Sequence, residues 1–149
     1  NMSTLTVGVI AEKVSGSGVA IDSLVIKDGA LSLAVAQKAN TFSATLASVS
    51  GVLNFSTFNN FIVTLSAGAN TFANPTTETN QVGQTGVIIF IQRSSGNASS
   101  LTFAGTSDYE TAGSAGITLS TEVNDYDVVP YIIKANNSIL LGTPQLNFG

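Results

Sequence analysis

The sequence predicts an all-β fold: an antiparallel β-sandwich of jelly-roll type, carrying a short N-terminal β stem. Three observations lead there. Apolar residues recur at every second position in short runs along most of the chain, which is the strand period and not the helical one. The runs are separated by short stretches of Gly, Asn, Ser and Asp, the residues that tolerate turn geometry. No stretch offers a sustained 3.6-residue apolar stripe.

The elements follow in chain order. Ser3 to Ile10 places Leu5, Val7 and Val9 on one face, and Ser15-Gly16-Ser17-Gly18 interrupts it. A strand over 19–26, a Lys27-Asp28-Gly29 turn and a strand carrying Leu31, Leu33 and Val35 read as a hairpin, because Asp-Gly accepts the positive φ that tight turns need. Residues 34–40 read as a linker or a short helical turn. The apolar side chains of this region are slender, and a lone hairpin is marginal in water. Three copies wound about one axis would cover each other's open edges, so 1–40 is expected to be a stem or anchor; the alternative is that 1–40 adds edge strands to a monomeric sandwich. From Thr41 onward bulky rings become frequent (Phe42, Phe55, Phe58, Phe61, Phe72, Phe90, Phe103), which places a hydrophobic core in a head domain over 41–149.

Within the head, strands are expected at 42–48, 51–57, 60–66, 86–92, 100–104, 116–120, 126–134 and 138–142. The run GVIIFIQ (86–92) is apolar on both faces and is expected to be a central strand covered on both sides. Residues 93–99 are expected to close a hairpin onto Leu101-Thr102-Phe103. VVPYIIK (128–134) and ILLG (139–142) form a second hairpin, with Asn136-Asn137 supplying the turn. Pro130 has no N–H for a ladder, so its stretch of strand belongs at an edge or a bulge. Residues 68–85 read as a long surface loop.

Composition excludes several function classes. Charged residues make up 9% of the chain, against about 25% in ordinary soluble domains, so the surface is neutral and poorly guarded against self-association. The five basic residues Lys13, Lys27, Lys38, Arg93 and Lys134 are scattered and the net charge is −4, which argues against nucleic acid as a partner. No apolar run reaches the ~18 residues of a membrane-spanning helix, and the residues given show no basic-then-apolar leader pattern. The chain opens Asn1-Met2, which leaves open both a piece of a longer chain and an added first residue.

Cys, His and Trp are absent, which removes disulfides, the Ser-His-Asp and Cys-His arrangements, and the usual zinc ligands. The acids gather in SDYET (Asp108, Glu110) and TEVNDYD (Glu122, Asp125, Asp127). Paired carboxylates can cleave a glycosidic bond or hold Ca²⁺. Without an aromatic-lined cleft the plainer reading is turn solvation or subunit contact. The Gly-rich SGSG (15–18) and AGSAG (112–116) lack the Lys and following helix of a phosphate cradle. The expectation is a non-enzymatic protein with no cofactor and no resident metal.

SGSGVAIDSLVIKDG resembles a short module recurrent in tailed-bacteriophage virion proteins. The run from Asn74-Pro75-Thr76 through Gly83-Gln84-Thr85-Gly86, the apolar strand 87–91, Asp108-Tyr109, Asp127-Val128-Val129-Pro130-Tyr131 and Ile139-Leu140-Leu141-Gly142 resembles the C-terminal domain of phage tail-fibre and head-fibre proteins. The resemblance spans roughly 15–30 and 70–149. It implies a non-enzymatic, often oligomeric structural component of the virion; with the threefold stem read from 1–40, a homotrimer in contact with other virion proteins is expected. Loops held on a rigid sheet suit recognition, so 68–85, 93–99 and 106–115 are the expected contacts with a host-surface glycan or protein. Asn74, Thr76, Arg93, Asn97, Asp108 and Tyr109 are the candidate residues. A capsid decoration protein and a carbohydrate-binding adhesin module are the alternatives, the second disfavoured by the shortage of aromatics.

Overall fold

The computed structural model of the chain describes residues 39–45, 52–104 and 107–149, with the backbone alone at 44 and 45. The expected strands and hairpin before Lys38, and all but the last two residues of the expected stem, lie outside the described residues. The described residues form nine strands and one 3-10 turn over Ala112–Ser114. The strands are β1 (Thr41–Thr45), β2 (Asn60–Thr64), β3 (Ala69–Phe72), β4 (Thr85–Ile91), β5 (Ser100–Phe103), β6 (Tyr109–Glu110), β7 (Tyr126–Ala135), β8 (Ser138–Leu141) and β9 (Gln145–Phe148).

Seven strands make one sheet in the order β1-β2-β4-β7-β8-β6, and β9 joins β7 on the edge it shares with β8. β3 and β5 make a second, two-stranded sheet. The pairing is mixed, which corrects the antiparallel expectation. β1, β2 and β4 run parallel, as do β3 with β5 and β6 with β8, while β7 is antiparallel to β4, β8 and β9. Parallel neighbours need a crossover of about a dozen residues or more. The connections 46–59 and 65–84 supply such lengths, so β1, β2 and β4 are not joined as hairpins.

The register shows which residues share a face. Phe42, Phe61, Ile88 and Val129 lie abreast across β1, β2, β4 and β7. Gly86, Tyr131 and Leu141 form another row, and Ile133, Ile139 and Tyr109 a third. Of these residues the buried ones join Leu53, Phe55, Phe72 and Leu101 in a single hydrophobic core. Phe72 of the small sheet meets Phe90 with ring centroids 5.5 Å apart, and Phe55 stands edge-on to Tyr131 at 5.2 Å. Such tilted and edge-on pairs suit the ring quadrupole.

Several local expectations change for identifiable reasons. Residues 51–57 are not a strand where described. Asn54 Oδ1 accepts the backbone N–H of Ser56 at 3.1 Å and of Thr57 at 3.2 Å, and this side-chain turn displaces the ladder. Leu53 and Phe55 still reach the core. The expected hairpin across 93–99 is absent, since β5 pairs with β3 and not β4. Residues 116–120 form no strand; the Ser120 N–H bonds Asp127 Oδ2 at 2.7 Å instead. The stretch 68–85 holds β3, and β9 follows after Pro144.

The β7–β8 hairpin forms as expected, with Asn137 at φ 57°. β4 is central, between β2 and β7. Pro130 lies inside β7 where neither β8 nor β9 pairs with it. Its carbonyl accepts Gly142 N–H at 2.8 Å, so its N-side faces that same gap and no ladder donor is lost.

Gly86 decides how closely β4 meets the chain before β2. A Cβ there would stand 1.9 Å from Asn59 O and 2.9 Å from Tyr131 Cε1. Tyr131 donates its hydroxyl to that same Asn59 O at 2.7 Å and accepts from Gln84 Nε2 at 3.0 Å. Gly86→Ala is therefore expected to lower stability by about 3 kcal/mol through overpacking against backbone, seen as a lower urea midpoint with unchanged m-value.

Candidate functional site

The alternation that fills the core leaves a second apolar surface on the opposite face of the main sheet. Ile62, Ile89 and Val128 lie abreast there, as do Ile132 with Leu140, and Ile91 with Tyr126 and Phe148. Ile132 and Tyr126 are each 41% exposed and Phe148 48%, while Ile62, Val87, Ile89, Ile91, Val128 and Leu140 are half-buried. The first charge along β7 on this face is Lys134, at the margin, where it pairs with Glu110 at 3.2 Å. A shallow hollow of about 300 Å³ opens among Pro130, Ile132, Leu140 and Gly142. GVIIFIQ is thus fully buried on its core face, at Ile88 and Phe90, and only half-buried on the other, at Val87, Ile89 and Ile91.

The six candidate contact residues fall into two groups at opposite ends of the β3–β5 sheet. Four-residue strands put those ends about 13 Å apart. At one end Asn97 exposes its side chain while its carbonyl accepts Gly68 N–H at 3.2 Å. Arg93 is half-buried and committed: Nε bonds Gly96 O at 3.2 Å, and Nη1 bonds Gln92 Oε1 at 3.3 Å and Thr121 O. It ties two loops together.

At the other end Asn74 Oδ1 accepts Asp108 N–H at 3.0 Å, joining the 73–78 segment to 107–109. Thr76 is exposed. Tyr109 is in the core, 4% exposed, stacked on Phe103 at 5.2 Å. Burial, and after it the charges of Asp108, Glu78 and Tyr131, push its hydroxyl pKa up. Asp108 is half-buried, and burial followed by the nearby Glu78 charge raises its carboxyl above the usual range.

The remaining acids act in the fold. Asp127 is 1% exposed and accepts from Ser120 N–H and Oγ at 2.7 and 2.6 Å and from Asn147 N–H at 3.1 Å. It fastens both the 118–121 segment and β9. Glu110 is held below the usual carboxylate range by the Ser138 hydroxyl and then by Lys134. A cleft of about 620 Å³ runs between β5 and the 107–117 segment, with Phe103, Tyr109, Glu110, Thr111 and Ile117 among its walls. No three His, Cys, Asp or Glu side chains converge among the described residues. Their helices include none long and apolar enough to cross a membrane.

No family model matches the chain, and neither a curated protein nor a solved structure is found to be similar to it.

Asp108 and Glu110 give opposite pH signatures. Asp108 has a folded pKa above its unfolded value, so it contributes most below the unfolded value and loses that contribution as pH rises through the folded one. Glu110 has a lowered folded pKa, so its contribution is present above the unfolded value and fades as pH falls through the folded one. In thermal melts between acid and neutral pH in EDTA, Asp108→Asn is expected to flatten the loss toward neutral pH, and Glu110→Gln the loss toward acid.

Proposed function

We propose that the chain is a non-enzymatic structural protein of a tailed-phage virion, a fibre component whose β-sandwich head assembles as a homotrimer and displays loops for host attachment. The observation that carries this reading is the uncharged, open apolar face across β2, β4, β7, β8 and β9. Four strand spacings by seven residues give about 450 Å² in projection, within the ~300–600 Å² of a typical monomer's largest apolar patch, a size that is often functional. Two such faces brought together remove about 900 Å² in projection and more as accessible surface, near the ~1,200–2,000 Å² of stable complexes. Three sheets around an axis, each turning this face inward, satisfy all copies equally and close the assembly.

The neutral surface and the fold-building use of Asp127, Glu110 and Arg93 agree with a mechanical role. Thr76 and Asn97 are the exposed members of the two loop clusters and become the display positions; Tyr109 supports the cluster that includes Thr76 from the core. A second reading, a carbohydrate-binding adhesin, is favoured by the 620 Å³ cleft, whose Phe103 ring and polar Glu110 and Thr111 match a sugar's two faces. A capsid decoration protein would use the same apolar face against shell subunits.

Light scattering across a dilution series tests the central claim. The expected mass is three chains, resistant to dilution. Ile89→Lys combined with Ile132→Lys is expected to yield a monomer with a native far-UV spectrum, because both side chains point away from the core. A wild-type monomer at every concentration would overturn the assembly reading. In particles that carry the chain, alanine at Thr76 and Asn97 is expected to leave assembly intact and to reduce adsorption.

A further inference from the structure

Where the 73–78 segment meets β6, two polar side chains are buried without a protein partner. Glu78 is 1% exposed, and neither of its carboxylate oxygens has a hydrogen-bond partner. The Tyr109 hydroxyl is also buried and unpartnered. The segment that carries Glu78 is fixed on both sides. Thr77 Oγ accepts Phe55 N–H at 3.0 Å and donates to Leu53 O at 3.2 Å, and Gln81 N–H closes a turn onto Glu78 O at 2.9 Å. Asn74 brings Asp108 to the same place, and the Glu78 charge acts on both Asp108 and Tyr109.

An ionised carboxylate removed from water is unfavourable unless a cation or hydrogen-bond donors meet it. The basic side chains among the described residues are spent elsewhere. Arg93 binds loops at the far end of the β3–β5 sheet, and Lys134 pairs with Glu110 in the only salt bridge among the described residues. Two carboxylates and a phenol therefore lie near enough to act on one another, and neither basic side chain among the described residues pairs with Glu78 or Asp108.

We propose that Glu78, Asp108 and the Tyr109 hydroxyl bind a divalent cation of the Ca²⁺ class. The donors are all oxygen, which selects a hard cation over the transition metals. Ca²⁺ accepts irregular geometry with water completing its shell, whereas Mg²⁺ demands a near-ideal octahedron. Two carboxylates are few for such a site, so the affinity belongs to the weak extracellular range of about 10⁻⁴–10⁻³ M. The ion would lock the 73–78 segment to β6, at the loop cluster that includes Thr76. This site stands apart from the open sheet face, and its success or failure is independent of assembly.

The test is thermal melting of the full chain in EDTA and in Ca²⁺ raised to about 10 mM, together with tyrosine-sensitised Tb³⁺ luminescence. Ca²⁺ at tenfold its Kd is expected to raise the folding equilibrium about elevenfold, saturably, with a smaller effect from Mg²⁺. Glu78→Gln is expected to abolish the response. Should that variant fail to fold, Asp108→Asn, at a half-buried position, makes the same comparison. Tyr109→Phe removes only the unpartnered hydroxyl, so it is expected to fold and to lose most of the Tb³⁺ signal. No Ca²⁺ response in the wild type, or an equal response in the folded Glu78 or Asp108 variant, would overturn the proposal.

Discussion

The antiparallel ladder between β4 and β7 is the constraint on which the rest of the main sheet depends. It pairs Thr85 to Ile91 with Ile132 to Tyr126 without interruption. Each remaining strand of that sheet connects to it directly or through one neighbour, with β6 and β1 at the two ends. β2 extends β4, while β8 and β9 divide the free edge of β7 between them. The ten-residue β7 is long enough to carry two partners end to end. Pro130 marks the gap between them, where a missing N–H costs no bond.

Around this ladder, uncharged side chains supply the backbone partners that a mixed sheet leaves unmet. Buried peptide groups beyond the ends of a ladder need partners from elsewhere. Asn70, fully buried, accepts Ser66 N–H and donates to Ser66 O, Gly68 O and Ser100 O, bridging the start of the β3–β5 sheet. Gln92 trades two bonds with Ser99 at 3.0 Å each, imitating a pair of ladder bonds. Asn60 Oδ1 takes Val87 N–H, and Gln84 reaches Phe58 O. The abundance of Asn, Gln, Ser and Thr is thus partly internal architecture. Amides can donate and accept at one site without the desolvation cost that a buried charge carries, which fits a chain with so little charge to pair.

The same chemistry explains what was legible in the sequence. Strand identity was clear where alternation ran over several large apolar residues, as in β2, β4, β7 and β8. It failed where a short polar side chain replaced a ladder bond: Asn54 turned an alternating run into a loop, and Asn70 hid a strand inside a polar stretch. Parallel pairing was invisible because periodicity records faces and not neighbours. Of the candidate contacts, Thr76 and Asn97 are exposed, while Arg93 and Tyr109 are absorbed into the fold by partners distant in sequence. Glu78 carried no local signal at all. Its isolation is a property of the surrounding burial, and only the folded chain shows it.

Two apolar faces create a problem of register that the sequence must solve elsewhere. Sliding a strand by one residue exchanges its faces, and a polar face normally forbids this. β4 has no such guard, since Val87, Ile89 and Ile91 are as apolar as Ile88 and Phe90. The guard lies instead at the two ends of its pairing with β7. Gly86 must lie opposite Tyr131, because any side chain there meets Asn59 O. Phe90 lies opposite Asp127, whose carboxylate is committed to Ser120 and Asn147. A slip in either direction would bring a side chain against Asn59 or disturb the row that ends in that buried acid. One small residue and one buried carboxylate, at the two ends of the strand, free the alternate positions of β4 from specifying the fold and leave its outer residues apolar.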